Sequence, residues 1–505
     1  MGLSGSEDPE LARLHRKKRG FWVTWLRKIW TRFESSEKRY VIILLLLALA
    51  VRLIYVFSVD LIPLDKTGID LDAVEYDHLG WSVAQGHGMI DAFGHPSSHR
   101  FPGYVYFLGI IYFIFGHHHI AALLCQALLG SLTPLLIYFS ARQILAEKTS
   151  RVAGFLAAVY PVFIYYVGYL MTENLFLFLL NLLIFLTVSL GRDASWKKLA
   201  FMGFVTGLLG LTRGVGLPFI GLIPLYVFLR LKGDGGKKFG RAAIVFAVAV
   251  LTMVPWTIRN YLTYDQLMLP SSEGGVVLWM AFNRVNFKQH YNDAPAYEYV
   301  ERVGRENAKS EEFYRLLLEN NVFGLTGMQK LFSIYYPDEP LPQTEPEASR
   351  RLGEKAMVLL KQMPQVWVKK SLAQVFRFWH VLDERGRYVY SYAFILPFFF
   401  AGFWLLRRRI RDLMPLYFFP LVMYGVAILF FADARFRMPF EGVFLIVGAF
   451  AIERFIHIFK RQYWGYGILV GFFLFNYYLR LHSMEVRLAI RALARAVGLP
   501  VSEME

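Results

Sequence analysis

Apolar runs long enough to cross a lipid bilayer recur along this chain between short basic loops, and they restrict its fold more than any other feature. A transmembrane helix needs about 20 apolar residues, so each long run is a candidate span. The runs occupy residues 41–59, 102–116, 120–140, 152–170, 175–190, 199–211, 216–229, 242–258, 391–406, 414–431, 439–458 and 464–481. The run at 102–116 is short and opens with Phe-Pro-Gly, which favours a re-entrant or interfacial helix. The remaining runs predict an all-α polytopic membrane protein with about 11 transmembrane helices.

The composition agrees with a membrane protein, since 56% of the 505 residues are hydrophobic, 17% aromatic and only 19% charged. A soluble chain of this length would carry more charge. The formal net charge is +16, but the basic residues flank apolar runs and form no single patch with interleaved aromatics. We therefore expect a membrane and no nucleic acid as partner. Cys125 is the single cysteine, so no disulfide can form within the chain.

Basic loops predict which turns face the cytoplasm. Ten lysine and arginine residues lie in the first 40, which predicts a cytoplasmic amino terminus and an uncleaved signal anchor. The basic loops at 141–151, 191–198 and 230–241 should share that side. The polar turns between them then reach the outer face together. Arg52 interrupts the first span, and the cost of a charge facing lipid predicts that it faces the bundle interior.

This topology divides the chain into five segments, the second of which contains the first outer loop with interfacial helices, at 60–101. The segments are a basic cytoplasmic segment (1–40), an amino-terminal transmembrane module (41–260), a small, mostly helical outer domain (261–390), the carboxy-terminal transmembrane helices (391–481) and an amphipathic tail (482–505). In the outer domain, the pattern at 298–319 predicts a helix. In the tail, the charge of Arg487, Arg491 and Arg495 favours the cytoplasmic side, whereas span parity favours the outside.

The first outer loop is dense in titratable groups, with five acidic residues, four histidines and one arginine between positions 68 and 103. Asp72 and Tyr76 are four residues apart, so on a helix they share one face. An amphipathic interfacial helix whose acids only face water is the alternative interpretation. Because other polar turns reach the same predicted face, we favour a functional site.

The candidate site residues on this predicted outer face are carboxylates, arginines, a tyrosine and a histidine. They are Asp72, Tyr76, His99, Arg100, Glu173, Arg213, Arg259, Arg435 and Arg437. Binding of lipid headgroups by the arginines would explain the cations but not the carboxylates beside them. The mixture suits transfer from a phosphorylated lipid, with Asp72 as a general base for an alcohol and Arg100 as a clamp on the leaving phosphate.

Two histidine features raise the question of a metal ion. His99, with Glu173, could complete a metal site next to Arg100. Three consecutive histidines at 117–119 resemble a metal site by composition, but consecutive side chains on a helix point in different directions, so we expect no metal there.

The order of these motifs resembles the GT-C superfamily of integral-membrane glycosyltransferases, and within it the bacterial branch similar to protein O-mannosyltransferases and lipid A aminoarabinose transferases. The resemblance consists of six short motifs and covers most of the chain outside the first 40 residues and the outer domain. They are the acid-to-tyrosine helix from Asp72 to Tyr76, Arg100 in HRFPGY, the pair Thr172 and Glu173, the phrase PWTIRNY, the phrase SSEGGVVLWMAFNR and the late RFRMP.

The resemblance implies transfer of a sugar, with inversion, from a polyprenyl-phosphate carrier to a hydroxyl acceptor at the periplasmic face of the bacterial inner membrane. The acceptor could be lipid A, a lipid-linked saccharide, a polysaccharide or a protein. It also implies Asp72 as the general base, Arg100 as a ligand of the carrier phosphate and Glu173 as a second carboxylate. Many members have glutamate where this chain has Ala73. If that glutamate has a role in the family, Asp70 or Glu75 would have to take it here. His99 stands where the aminoarabinose transferases have a metal-binding glutamate, so no cofactor is required but a divalent metal remains open.

Two other functions remain as alternatives. A transporter of a lipid-linked saccharide would use the same arginines, but such transporters tend to show internal repeats, and none is visible here. A polymerase or ligase that uses a pyrophosphate-linked oligosaccharide needs the same acid and cations, so only a trial of donors separates it.

Overall fold

The computed structural model describes residues 37–58, 71–191, 194–268, 270–282, 302, 324–382, 388–429, 434–459, 461–485 and 488. Within these ranges the chain is helical and contains no β-strand, only two isolated bridges. Asp70, all but residue 302 of the predicted helix at 298–319, most of the segment 1–40 and the three arginines of the tail lie outside the described residues.

Within the described residues, the amino-terminal part contains ten helices and two short 3₁₀ turns, Tyr166–Gly168 and Gly214–Gly216. The helices are α1 (Glu37–Ser58), α2 (Leu71–Ala84), α3 (Pro102–Phe115), α4 (His119–Arg142), α5 (Glu147–Ala158), α6 (Pro161–Tyr165), α7 (Thr172–Val188), α8 (Trp196–Thr212), α9 (Phe219–Arg230) and α10 (Gly235–Tyr264).

The described helices that follow form two groups along the chain. The first group is α11 (Glu273–Phe282), α12 (Gly324–Tyr335), α13 (Glu345–Gln362) and α14 (Pro364–Phe378), and the second group is α15 (Tyr390–Leu406), α16 (Ile410–Leu429), α17 (Ala434–Arg437), α18 (Glu441–Ile458) and α19 (Gln462–Leu481).

Four described helices are long and apolar enough to cross a membrane, namely α1, α4, α10 and α15 with its following turn. Helix α5 and the segment after it, bent by 43°, make a fifth candidate. Shorter apolar helices include α3, α7 and most of α16. Helix α3 has 14 residues and spans about 21 Å, less than the bilayer core of about 30 Å. The predicted all-α membrane architecture is confirmed, and the count of about 11 crossings stays a prediction.

Small residues let helices α8 and α10 approach closely. A Cβ atom on Gly203 would lie 2.5 Å from the carbonyl oxygen of Val245, and one on Gly207 would lie 2.6 Å from that of Ala249. Glycine at this four-residue spacing is a common device for close helix packing in membranes. The contact fixes the end of α8, where Arg213 follows.

Arg52 on α1 lies in the interior of the bundle, as predicted, with no exposed surface. Its guanidinium donates hydrogen bonds to the carbonyl oxygens of Ala48 (3.0 Å) and Ala158 (3.1 Å). These contacts join α1 to the end of α5 and satisfy part of the charged group away from lipid.

Helices α11, α12 and α13 have a core of their own. Its members are buried apolar side chains, among them Trp279, Met328, Phe332 and Leu352. Thr344 caps α13, since its hydroxyl accepts a hydrogen bond from the amide of Glu347 (3.3 Å). These helices form the described part of the predicted outer domain, and its predicted boundaries stay a prediction.

Candidate active site

Charged side chains from five separate pieces of chain meet in one network. Helix α2 supplies Asp72 and Glu75, and the segment before α3 supplies Arg100. The first turn of α7 supplies Glu173, the residue after α8 is Arg213, and α17 supplies Arg435. We call these six residues the acid–arginine network.

Asp72 is held between two arginines. Its Oδ1 lies 2.6 Å from Nη2 of Arg100, and its Oδ2 lies 2.6 Å from Nη2 of Arg435. Both carboxylate oxygens therefore accept charge-assisted hydrogen bonds, which are the strong kind.

Glu75 lies one turn further along α2 and binds the same side of Arg100. Its Oε2 accepts from Nε of Arg100 at 2.8 Å and from Nη2 at 2.6 Å. Arg100 thus joins the two acids of α2, and the helical spacing of three residues places both carboxylates within its reach.

Glu173 forms the other end of the network and is fully buried. Its Oε1 lies 2.7 Å from Nη1 of Arg213 and 2.5 Å from Nε of Arg435. Its position in the first turn of α7 suits a carboxylate, because the amino end of a helix carries partial positive charge. Arg435 therefore connects α7 to α2, with one nitrogen on Glu173 and another on Asp72.

The network contains three carboxylates and three guanidinium groups, so its formal charges cancel. Exposure differs along it: the side chains of Asp72 and Arg435 are 16% and 19% exposed, whereas that of Glu173 is 0% exposed. Asp72 and Arg435 are thus its accessible edge, where an incoming group can compete for them.

The arginines also set the protonation of the acids on α2. Burial alone raises the pKa of Asp72, but the positive charges of Arg100 and Arg435 outweigh it and hold the pKa well below its ordinary value. For Glu75, burial is likewise outweighed by the charges of Arg100 and His99, which lower its pKa to about 2. Both groups are therefore carboxylates at neutral pH.

The other candidate residues lie beside the network or apart from it. The buried ring of Tyr76 lies under the guanidinium of Arg100, 5.1 Å from its centre. Arg259 donates to the carbonyl oxygens of Ser97 (3.0 Å) and Met89 (3.2 Å), and so braces the loop before Arg100. Arg437 is buried and pairs with Glu441 at 3.0 Å. The geometry thus brings together Asp72, Arg100, Glu173, Arg213 and Arg435, and leaves Arg259 and Arg437 outside.

His99 lies between two acids. Its Nδ1 is 3.1 Å from Oε1 of Glu75. On the other side, Oε2 of Glu345 accepts hydrogen bonds from the backbone amides of Ser98 (2.6 Å) and His99 (2.9 Å). Burial lowers the pKa of His99, but the charge of Glu75 reverses this, so the pKa lies above its ordinary value. The adjacent guanidinium of Arg100 does not fit a metal ion at His99, and we route no step through one.

A cavity of about 510 Å³ opens beside Arg435. Six tyrosines and three arginines contribute to its wall. These are Tyr55, Tyr165, Tyr166, Tyr169, Tyr388 and Tyr390, with Arg435, Arg437 and Arg480. This volume lies within the range of about 300–1,000 Å³ typical of ligand sites. Of the network, Arg435 lines this space, so a ligand in the cavity would contact the network through that side chain.

Several of these residues carry little sequence signal. Glu345 is an acid in the first turn of a helix, a position where exposed acids are common. The cavity tyrosines are more visible, since four tyrosines occur between positions 160 and 169. Such density near an outer turn is also typical of aromatic residues at a membrane interface. The sequence marks Glu75 only as a possible replacement for the glutamate that many members of the superfamily have at the position of Ala73.

The described helices form a helical membrane-type architecture with a buried charged site between them. The family model for dolichyl-phosphate-mannose-protein mannosyltransferases matches residues 95–268, about a third of the chain. The chain has the fold of the GT-C superfamily, and the resemblance predicted from its motifs is confirmed at the level of fold.

Among solved structures, the oligosaccharyltransferase of Archaeoglobus fulgidus tethered to an acceptor peptide is similar, with a TM-score of 0.50 and 15% identity. The match covers 89% of this chain and 55% of that one, so the chain spans about half the length of the archaeal enzyme. ArnT from Cupriavidus metallidurans bound to undecaprenyl phosphate matches with a TM-score of 0.39 and 14% identity, over 84% of this chain and 82% of that one. The comparison with curated proteins gives no match.

Proposed function

We propose that this chain is an inverting glycosyltransferase that moves a sugar from a polyprenyl-phosphate carrier to a hydroxyl acceptor. The observation that carries the proposal is Asp72 held by Arg100 and Arg435 at the exposed edge of a charge-balanced network, beside a tyrosine-lined cavity. The match of residues 95–268 to a family of dolichyl-phosphate-mannose-dependent enzymes supports this class of donor. We further propose that the site faces the periplasm across the bacterial inner membrane.

In this mechanism the donor phosphate competes with Asp72 for its arginines. A phosphate accepts the same forked hydrogen bonds as a carboxylate, so Arg100 and Arg435 can turn from Asp72 to the phosphate. The positive charges that lower the pKa of Asp72 then move away, and its pKa rises toward that of a useful base. Binding of the donor therefore activates Asp72.

The chemical step then follows from these positions. Asp72 accepts the proton of the acceptor hydroxyl while the acceptor oxygen forms a bond to the anomeric carbon. The bond from that carbon to the phosphate oxygen breaks on the opposite face, and its electron pair leaves with the polyprenyl phosphate. Arg100 and Arg435 stabilise the charge that develops on the phosphate. Attack from the opposite face inverts the sugar carbon.

The test uses purified full-length protein with labelled polyprenyl-phosphate sugars and candidate acceptors. We expect Asp72→Asn to reduce transfer by at least about 100-fold, the usual contribution of a positioned base. Asp91→Asn is a matched control in the same loop, because Asp91 accepts local backbone hydrogen bonds and lies outside the network. Transfer by Asp72→Asn at the wild-type rate would end the assignment.

A second comparison separates binding from chemistry and the alternatives from each other. Arg100→Ala should weaken binding of the carrier more than that of the acceptor, and an equal loss of both would contradict the clamp. Release of free polyprenyl phosphate with time supports a transferase and excludes a simple transporter. Turnover only with pyrophosphate-linked oligosaccharides would favour the polymerase or ligase.

A further inference from the structure

A second cluster of ligating side chains lies further along α2, outside the acid–arginine network. It consists of Asp77, His117 and His119, whose ligand atoms all lie within 4.8 Å of one another. Nε2 of His117 is 3.1 Å from each carboxylate oxygen of Asp77, and Nε2 of His119 is 3.0 Å from Oδ2. The two imidazoles therefore converge on one carboxylate oxygen.

The backbone explains why two histidines of a consecutive triplet converge. On a helix the three side chains would point in different directions. Helix α4 begins only at His119, and His118 has an extended backbone as its cap. In extended chain, side chains two residues apart point the same way. Gly116 ends α3 with a φ of 79°, a conformation that favours glycine, and turns the chain toward α2. His118 consequently points away and is exposed.

The surrounding side chains fix the orientation of these groups. The indole of Trp81 stacks on His117, with ring centres 4.8 Å apart and planes 4° apart. The hydroxyl of Tyr112 donates to Oδ1 of Asp77 at 2.5 Å. This leaves Oδ2 as the oxygen that faces both imidazoles. A hydrogen-bonded second oxygen on a carboxylate ligand is a common feature of metal sites.

We propose that Asp77, His117 and His119 bind a divalent transition-metal ion, with zinc as the first candidate. Two imidazoles and one carboxylate suit zinc and its neighbours rather than magnesium or calcium, which prefer oxygen ligands. In a tetrahedral zinc site with bonds of about 2.0–2.1 Å, neighbouring ligand atoms lie about 3.3 Å apart. The two separations from Oδ2 of Asp77, 3.0 and 3.1 Å, need only a small expansion. The two imidazole nitrogens lie within 4.8 Å of one another.

Such an ion would fasten α2 to the turn between α3 and α4. Asp77 lies two residues after Glu75 and five after Asp72 on the same helix. The ion would thus hold the helix that presents both acids, without contact with the network itself. We expect a structural, positioning role for it, and this inference stands whether or not the chain transfers sugars.

The test measures zinc binding by full-length protein that lacks a polyhistidine tag, after removal of metal with a chelator. We expect wild-type protein to take up one zinc per chain in competition with a chromophoric chelator, and to gain thermal stability as zinc is added. The double variant His117→Gln/His119→Gln should bind at least about 100-fold more weakly. Glutamine can still donate a hydrogen bond to Asp77, so this variant retains the polar contact that a site without metal would need.

The histidine triplet supplies its own control. His118→Gln should bind zinc as the wild type does, because His118 lies outside the cluster. The proposal is overturned if metal-free wild-type protein binds no zinc, if His118→Gln weakens binding as much as the double variant, or if the double variant binds unchanged. It is also overturned if His99→Gln removes binding while the double variant keeps it, since the metal would then lie at His99.

Discussion

Arg435 connects the part of the network on α2 to the part on α7. Its Nε contacts Glu173 of α7 and its Nη2 contacts Asp72 of α2, so a single planar guanidinium spans two helices. A lysine carries the same charge as a point and cannot hold two carboxylates in this forked geometry. The network therefore depends on the shape of this side chain as well as on its charge.

We expect Arg435→Lys to lower kcat/KM for the donor by at least about ten-fold, because one of the two acids loses one of its two arginine contacts. A titration of donor in the transfer assay measures this. Arg350→Lys is the control, since Arg350 pairs with Glu354 on an exposed face of α13. Wild-type kinetics in Arg435→Lys would show that the fork is not needed.

Glu75 predicts how stability depends on acid. Its pKa falls from an ordinary 4.5 to about 2 in the folded chain. The charged form therefore stabilises the fold fully above pH 4.5, and this contribution disappears as pH falls from 4.5 toward about 2. By linkage it amounts to a few kcal/mol, on the order of 3.

Glu75→Gln tests this dependence through the thermal midpoint at a series of pH values. At neutral pH the variant should be less stable than the wild type, because Arg100 loses a charged partner. The gap between the two should narrow as pH falls below 4.5. A gap that stays constant from pH 7 to pH 3 would contradict the lowered pKa.

At the scale of elements, helices α11 and α13 cross at a glycine. A Cβ atom on Gly275 would lie 1.9 Å from the carbonyl oxygen of Ser349, too close for any side chain. The neighbouring Gly274 has open space around its Cβ position. The crossing of these two helices therefore requires glycine at 275 but not at 274.

Gly275→Ala should lower the thermal midpoint of the protein. The expected loss in the free energy of unfolding is about 1–3 kcal/mol, as for overpacking at a tight contact. Gly274→Ala should be nearly neutral, since alanine also favours the helix. Thermal unfolding of both variants in the same detergent makes the comparison. Equal midpoints would mean that the two helices separate at little cost.

Helix α13 also contacts the network's neighbourhood through Glu345, which holds the amides of Ser98 and His99. Burial raises the pKa of Glu345, so the folded chain favours the protonated form of this side chain. The protonated form therefore contributes to the stability of the fold at low pH, and this contribution is lost as pH rises. A neutral side chain with an acceptor oxygen should therefore be tolerated here.

We expect Glu345→Gln to keep or raise the thermal midpoint at pH 7. Glu345→Ala should lower the midpoint, with a loss of about 1–3 kcal/mol in the free energy of unfolding, because two buried amides lose their acceptor. The alanine variant should also weaken donor binding, since Arg100 follows directly in the chain. Similar stability of the two variants would show that the acceptor is not needed.

For the whole molecule, the sequence predicted which turns share a face better than it predicted their contacts. Basic loops confine polar turns to one side of a bilayer, and that confinement brought Asp72, Glu173, Arg213 and Arg435 into one prediction. Direct contacts depend on the rotation of each helix about its axis, which hydropathy does not contain. The same limit explains why Arg259 binds backbone carbonyls instead.

Features that join distant segments were harder to predict. The contact of Glu345 with the loop before Arg100 spans 247 residues along the chain, and no local pattern marks it. The convergence of His117 and His119 depends on where α4 begins, and helix boundaries are poorly determined by sequence. The class of fold, by contrast, follows from apolar runs alone.

The balanced charges of the network have a kinetic consequence for the proposed cycle. When the phosphate leaves, the guanidinium of Arg435 can bind the carboxylates of Asp72 and Glu173 again. These two carboxylates therefore compete with dissolved anions for Arg435. Sulfate or inorganic phosphate in the medium should then inhibit poorly. A polyprenyl carrier is anchored in the bilayer, so its effective concentration at the site is high and its phosphate can displace the carboxylates in every cycle. The carboxylates bind Arg435 again when the carrier leaves, and this step needs no separate energy source.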